Sequence, residues 1–173
     1  MRNYLKVLAV SVLMALPLMS FGQKAYKFGH FNSQEIIQAM PERDSAQVKL
    51  QKYQKTLEDQ LEVMQVEYNN KLQKYLEEKE KLTDLIRKTR EEELGQYQQR
   101  IQQYQENAST ELRQKQEELM QPIADKIKKA INDLGKENGF LYIFDLSSNT
   151  IQYHSADSQD ITPLLKAKLN IKK

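Results

Sequence analysis

Residues 50–75 read LQKYQKTLEDQLEVMQVEYNNKLQKY and lie in a longer run, residues 41–122, with one glycine and no proline between its ends. The apolar residues of the quoted stretch follow steps of three and four that repeat every eleven residues: Leu50, Tyr53, Leu57, Leu61, Met64, Tyr68, Leu72 and Tyr75. Eleven residues in three turns is about 3.67 per turn, so the stripe stays on one face of a helix. A stripe this narrow fits one partner helix, which predicts a long antiparallel coiled-coil hairpin.

The same repeat returns in the second half of the run, where it predicts the returning helix: Tyr97, Ile101, Ala108, Leu112, Leu119, Ile123, Ala130 and Leu134. Two arms of similar length between residues 34 and 134 meet at a tip near residues 82–86, where Thr83 or Asp84 can cap the second helix. Each arm then has about fifty residues and a length of about 75 Å.

Gly95 is the alternative position for the tip, because glycine is a common helix breaker. A tip at Gly95 gives arms of clearly unequal length. We therefore expect Gly95 inside the second helix, where it costs about 1 kcal/mol relative to alanine. The predicted arm spans residues 42–122.

The first 22 residues have the features of a signal peptide. Arg2 and Lys6 precede an apolar segment, residues 7–18, and small residues end at Gly22, after which we expect cleavage. An uncleaved anchor is the alternative, but it normally needs about 20 apolar residues. The chain has no cysteine, which excludes a lipoprotein anchor and disulfides.

The charge of the chain is balanced once this segment is removed. The full sequence has 26 basic and 24 acidic residues, and loss of Arg2 and Lys6 leaves 24 of each. Binding to nucleic acid needs a basic surface, so we expect no nucleic acid partner. We also expect no stable insertion into a membrane.

A small β-rich body is predicted from residues 23–41 and 123–173. Residues 25–31 alternate as a strand, and Asn32 caps a short helix that ends before Pro41. Residues 140–146 are apolar at nearly every position, as in a strand buried on both faces. Residues 147–149 then form a turn, and residues 150–154 return as a second strand of a hairpin.

Residues near the C-terminus of the chain have the pattern of a helix N-terminus. Thr162 is expected as the N-cap and Pro163 as the first residue of a short closing helix. The predicted fold class is therefore α+β, a long helical hairpin arm on a small β body.

The predicted body is too small to bury its own apolar faces, so we expect several copies to complete it. The residues expected at this oligomerisation surface are aromatic or aliphatic strand residues: Phe28, Phe31, Phe140, Tyr142, Phe144, Ile151 and Tyr153.

The sequence offers no constellation of residues for catalysis. It has two histidines, His30 and His154, both in predicted strands, and it has neither a glycine-rich phosphate loop nor metal-ligand spacing. The carboxylates of the arms lie on predicted exposed faces beside basic residues, which does not raise a carboxyl pKa. We expect no enzyme activity, no cofactor and no metal.

The tyrosines on the arm have two interpretations. They can pack across the two helices, or they can present amphipathic rings to a non-native client protein. The residues assigned to client binding on the second interpretation are Tyr53, Met64, Tyr68, Tyr75, Tyr97 and Tyr104.

The order of these elements resembles the Skp/OmpH family of periplasmic chaperones over essentially the whole chain after the signal peptide. The most specific part is the run Gly139-Phe-Leu-Tyr-Ile-Phe-Asp145, followed by Ile151-Gln-Tyr153 and Asp160-Ile-Thr162. The glutamine-rich arm and the Ser-Phe-Gly-Gln cleavage region resemble a Bacteroidetes member of the family.

The resemblance implies a homotrimer with a β-barrel body and three helical arms around a cavity. It also implies an ATP-independent holdase that keeps unfolded outer-membrane β-barrel proteins soluble in the periplasm. A structural spacer or adaptor of the cell envelope, built as a coiled coil, is the alternative function.

Overall fold

The computed structural model describes residues 26–148 and 150–171, so the expected signal peptide lies outside the described residues. The helices and strands are β1 (Lys27–Phe31), α1 (Ser33–Ala39), α2 (Pro41–Glu78), α3 (Asp84–Asn138), β2 (Phe140–Asp145), β3 (Gln159–Asp160) and α4 (Thr162–Lys168). Short 3-10 turns occur at Lys79–Lys81 and Leu146–Ser148. In this part of the chain no helix combines the length and apolarity that crossing a bilayer requires.

Helices α2 and α3 form the predicted hairpin arm on a small β body. Helix α2 has 38 residues and α3 has 55, which is about 57 and 82 Å at 1.5 Å per residue. Met40 adopts an extended conformation between α1 and α2, as the predicted break at Pro41 requires, so the first helix of the arm has fewer than fifty residues. A residue before proline is pushed out of the helical region, so Pro41 starts a new helix.

The tip of the arm lies at residues 79–83, a few residues before the predicted position. Thr83 occupies the N-cap position of α3, as expected, but its side chain makes no capping hydrogen bond. Gly95 lies inside α3, which confirms its predicted position and excludes it as the tip.

Replacing Gly95 with alanine is expected to stabilise the protein by about 1 kcal/mol, because alanine loses less backbone entropy than glycine in a helix. A Cβ atom at Gly95 meets no other atom within 4 Å. Thermal unfolding followed by circular dichroism measures the effect. Gly139→Ala is the matched control: Gly139 ends α3 with a φ of 68°, so alanine there should destabilise. Equal effects at both positions would contradict the prediction.

The hydrophobic core lies where the arm joins the body. It is formed by buried residues from strand β1, from every helix and from the residues that flank the short helices: Phe31, Ile36, Met40, Ala46, Ile123, Ile127, Ala130, Leu134, Ile161, Leu165 and Leu169. Pro122 lies inside α3, just before the four core residues of that helix. The helix therefore serves as an arm up to Pro122 and as part of the body after it.

The three strands form one parallel sheet in the order β2-β1-β3. The predicted hairpin is wrong, because residues 150–154 form no strand and the third strand is residues 159–160. Helix α4 starts one residue earlier than predicted, with Ile161 rather than Thr162 at the N-cap position. The whole arm connects the parallel neighbours β1 and β2, as parallel pairing requires a long crossover.

Strand β2 is not buried on both faces within one chain, contrary to the sequence prediction. Phe140 and Ile143 pack against the core. Leu141, Tyr142 and Phe144 are exposed large apolar residues. Strand β2 thus has more apolar side chains than its own chain buries.

Candidate functional site

One face of the sheet is aromatic and uncovered, and we call it the open face: Tyr26, Phe28, Tyr142, Phe144 and Tyr153. Phe28 lies opposite Tyr142 in the register of β1 and β2. Their rings are parallel within 3°, with centroids 6.2 Å apart, and Tyr142 stacks on Phe144 at 5.9 Å. The open face is therefore a continuous row of rings on the two longest strands.

The loop of residues 150–158 extends the open face beyond the strands. Its Tyr153 is 82% exposed. Ile151 and Tyr153 line a cleft of about 280 Å³ together with Phe28 and Phe144. Ile151 and Tyr153 therefore lie beside the sheet, but not in the hairpin strand that the sequence predicted.

The opposite face of the sheet belongs to the chain's own core. Phe31 is 6% exposed, and Phe140 packs over Gly29, where an added Cβ would lie 3.0 Å from the Phe140 ring. Phe31 and Phe140 therefore differ from the other residues assigned to oligomerisation. Their side chains pack inside the chain. Alternation of strand residues places Phe31 on the core face, whereas Phe140 lies there at the register irregularity between Lys27 and Phe28, although it is two residues from Tyr142.

Strand β2 also leaves one side of its backbone available. In the described part of the chain β2 is an edge of the sheet, with β1 as its neighbour on the other side. An edge strand presents backbone N–H and C=O groups that can pair with another strand.

Asp145, at the end of β2, ties the strand to helix α1. Its Oδ1 accepts hydrogen bonds from the backbone N–H groups of Ser33 (3.1 Å) and Ser147 (3.0 Å) and from the Ser147 hydroxyl (2.8 Å). Burial alone raises the pKa of this carboxyl, but the hydrogen bonds outweigh it and hold the pKa below its usual value. Asp145 is thus a structural carboxylate that favours its charged form.

Asp160 has a similar role at the start of α4. Its Oδ1 accepts a hydrogen bond from the Thr162 backbone N–H at 2.8 Å. Burial raises the pKa of this carboxyl, while the Thr162 hydrogen bonds and the neighbouring His30 and His154 lower it, and the net direction is down. The Asp-Ile-Thr run therefore joins β3 to the closing helix.

The arm is held together by tyrosines whose hydroxyls cross the seam between α2 and α3. The Tyr53 hydroxyl donates to Glu111 at 2.8 Å, and the Tyr97 hydroxyl donates to Glu67 at 2.7 Å. The second bond lowers the pKa of the Glu67 carboxyl and raises that of the Tyr97 hydroxyl. These pairs combine ring packing with a charge-assisted hydrogen bond.

The other residues assigned to client binding lie in the same seam. The Tyr75 hydroxyl donates to Glu91, and the Tyr104 hydroxyl donates to the backbone carbonyl of Leu57. Tyr68 contacts the ring of Tyr97, with centroids 6.3 Å apart.

This geometry favours the interpretation that the arm tyrosines pack across the two helices. Tyr97 is 6% exposed, and Met64 is partly buried on the same stripe. Sequence reasoning missed the glutamates that accept these bonds, since the many exposed carboxylates of the arm give no signal that singles out Glu67 or Glu111.

The comparison with known families agrees with this architecture. The sequence model of a family described as Outer membrane protein (OmpH-like) matches residues 27–169, more than four fifths of the chain. The chain belongs to the OmpH-like family. No curated protein matches it. Members of the Skp/OmpH family are periplasmic chaperones rather than enzymes. This OmpH-like chain is therefore of the general periplasmic chaperone type.

The OmpH-like chain also exposes apolar side chains along its arm, which the seam pattern does not predict. Val48, Val63 and Val66 lie on α2, and Leu76, Leu85 and Ile86 lie around the tip. Val48 and Val66 are five full turns apart and so share a face, which lies opposite the seam residues of α2. These side chains are available for contact with another polypeptide.

No candidate metal centre accompanies these surfaces in residues 26–148 and 150–171. The described His, Asp and Glu residues form no group of three that could hold a metal ion. The OmpH-like chain thus exposes two apolar surfaces: the open face on the body and the exposed apolar residues on the arm.

Proposed function

We propose that the chain is an ATP-independent holdase that keeps unfolded outer-membrane β-barrel proteins soluble in the periplasm. It acts as a homotrimer, in which three hairpin arms surround a cavity. The signal peptide directs export and is cleaved after Gly22. Membership of the OmpH-like family supports this function.

The open face is the observation that carries the proposed assembly. Five aromatic side chains on one small body stay exposed in a single chain, and exposed apolar patches on soluble proteins usually mark interaction surfaces. The unpaired edge of β2 adds backbone groups that a strand of a second copy can pair with. Association of the bodies of several copies would explain both the open face and the unpaired edge of β2.

The arm supports the proposed holding of clients. Its seam is one residue row wide, so the two helices can bend, while the exposed apolar residues offer many weak contacts. A client held by weak contacts is released without ATP. Besides the valines and the tip residues, we assign client contact to the exposed edges of Tyr53, Met64, Tyr68, Tyr75 and Tyr104.

Two measurements on the mature protein test this function. Light scattering should give three times the mass of one chain. Dilution of a urea-unfolded outer-membrane β-barrel protein into buffer should then give less aggregation in its presence. Tyr142→Asp buries a charge in the proposed interface, so it should weaken association by at least about tenfold and weaken holding with it.

Leu85→Asp is the matched control, because it makes the same kind of change at the tip of the arm, far from the open face. Its mass should stay that of the trimer. If the wild-type protein is monomeric, the proposed cavity between three arms does not exist. A trimer that leaves aggregation unchanged would make the envelope spacer the better account.

A further inference from the structure

The two histidines of the chain contact each other beside the open face. His30 lies in β1, and His154 lies in the loop of residues 150–158. Their ring centroids are 4.2 Å apart and the rings are tilted by 32°. The Nδ1 atom of His30 also lies 2.8 Å from the Ser158 hydroxyl. The central strand of the sheet is thus linked twice to the loop through one histidine.

These side-chain links matter because the loop has no strand of its own. Residues 150–158 form neither helix nor strand, and pairing with β1 begins at Gln159. The loop nevertheless carries Tyr153 of the open face and lines the cleft beside Phe28 and Phe144. The position of this part of the open face therefore depends on how the loop is attached.

The charges around the histidine pair come from two carboxylates. Asp160 of β3 lies opposite His30 in the register, and Asp157 of the loop lines the same cleft. Both carboxylates have other partners: Asp160 accepts from the Thr162 N–H, and Asp157 lies 3.4 Å from the Ser155 hydroxyl.

The remaining neighbours of the pair do not carry charge at neutral pH. Strand β2 presents Phe144 opposite His30, and Phe28 and Tyr26 line the cleft from the side of β1. The core helices pack on the other face of the sheet. Two adjacent imidazolium rings would therefore face each other beside this aromatic surface, with His154 exposed and Asp160 as a carboxylate that interacts with both rings.

We propose that protonation of both His30 and His154 releases the loop from the sheet and weakens association of copies through the open face. An imidazole ordinarily gains its proton near pH 6.5. The ring contact is compatible with neutral or singly charged histidines, whereas two positive charges at this distance repel each other. The trimer is then tightest near neutral pH and loosens in acid. This inference rests on the proposed assembly.

Hydrogen exchange of the loop and the mass of the full mature protein test the inference at pH 7.5 and pH 5.0. His154→Asn removes the second charge and keeps a polar side chain. At pH 5.0 the loop amides of the wild type should exchange about tenfold faster than those of His154→Asn, and at pH 7.5 the two should match. The mass of the wild type should fall at pH 5.0, and that of the variant should not.

Ser158→Ala is the matched control, since it removes the hydroxyl contact but leaves the ring pair, and it should keep the acid response. Equal loop exchange in the wild type and His154→Asn at both pH values would overturn the inference while leaving the trimer in place. An acid-opened loop with unchanged mass would overturn its link to assembly. A chain that is monomeric at both pH values would refute the proposed assembly instead, and loop exchange would still decide whether the histidines hold the loop.

Discussion

Ile161→Ala is expected to destabilise the body by about 3 kcal/mol, within the range measured for large-to-small changes in protein cores. Ile161 is 0% exposed, and its Cγ2 atom lies beside Gly29, where the sheet approaches the start of α4. Its backbone N–H donates to the carbonyl of His30 at 2.8 Å. The side chain therefore fills the junction of β1, β2 and α4, which cannot collapse around a smaller residue.

Urea unfolding followed by tyrosine fluorescence and by circular dichroism measures this loss. The unfolding transition should move to lower urea. Leu164→Ala is the matched control, because it makes the same kind of change three residues further along the chain, where the side chain is 39% exposed, and it should cost well under about 1.5 kcal/mol. Similar losses for the two variants would show that the junction is not tightly packed.

Asp145→Ala is expected to cost about 2 kcal/mol, since it removes a charged acceptor and leaves two backbone donors without it. Those donors are the N–H groups of Ser33, at the start of α1, and Ser147, after β2. Asp59→Ala is the control on the surface of the arm, where the exposed i,i+4 pair with Lys55 contributes little to stability. A loss at Asp145 no larger than the loss at Asp59 would contradict the role of this carboxylate.

The pH dependence of unfolding tests the same residue. The pKa of the Asp145 carboxyl is lowered in the folded state, so its contribution to stability is present above the unfolded pKa, about 3.9. That contribution is lost as the pH falls through the lower folded value. Asp145→Asn keeps the shape without the charge and should show a smaller loss of stability below about pH 4 than the wild type. Identical acid unfolding curves would show that the charge contributes nothing.

The arm follows from the sequence because its information is local. The eleven-residue repeat, the position of Pro41 and the symmetry of the two arms predicted the helices, their start and the region of the tip. Gly95 was correctly placed inside α3. Such features depend on residues within a few turns of one another, so a single sequence contains them.

The body was predicted less well because its pairing is not local. Ile151 and Tyr153 alternate as in a strand, but alternation does not identify the partner of a strand. In the structure, the short segment Gln159–Asp160 pairs with β1 instead. A strand of two residues carries no periodic signal. The hydroxyl partners of the seam tyrosines were also missed, because the register between two long helices decides which glutamate lies opposite each ring.

The order of the strands also determines when the body can form. The first strand of the chain is the central one, and its neighbours are supplied more than a hundred residues later, as in the pairing of Phe28 with Tyr142. If the polypeptide emerges from a translocation channel N-terminus first, β1 therefore stays unpaired until nearly all of the chain has crossed. The hairpin can form meanwhile, and by closing it shortens the search between the distant ends. The arm thus brings the distant parts of its own body together before the sheet is complete.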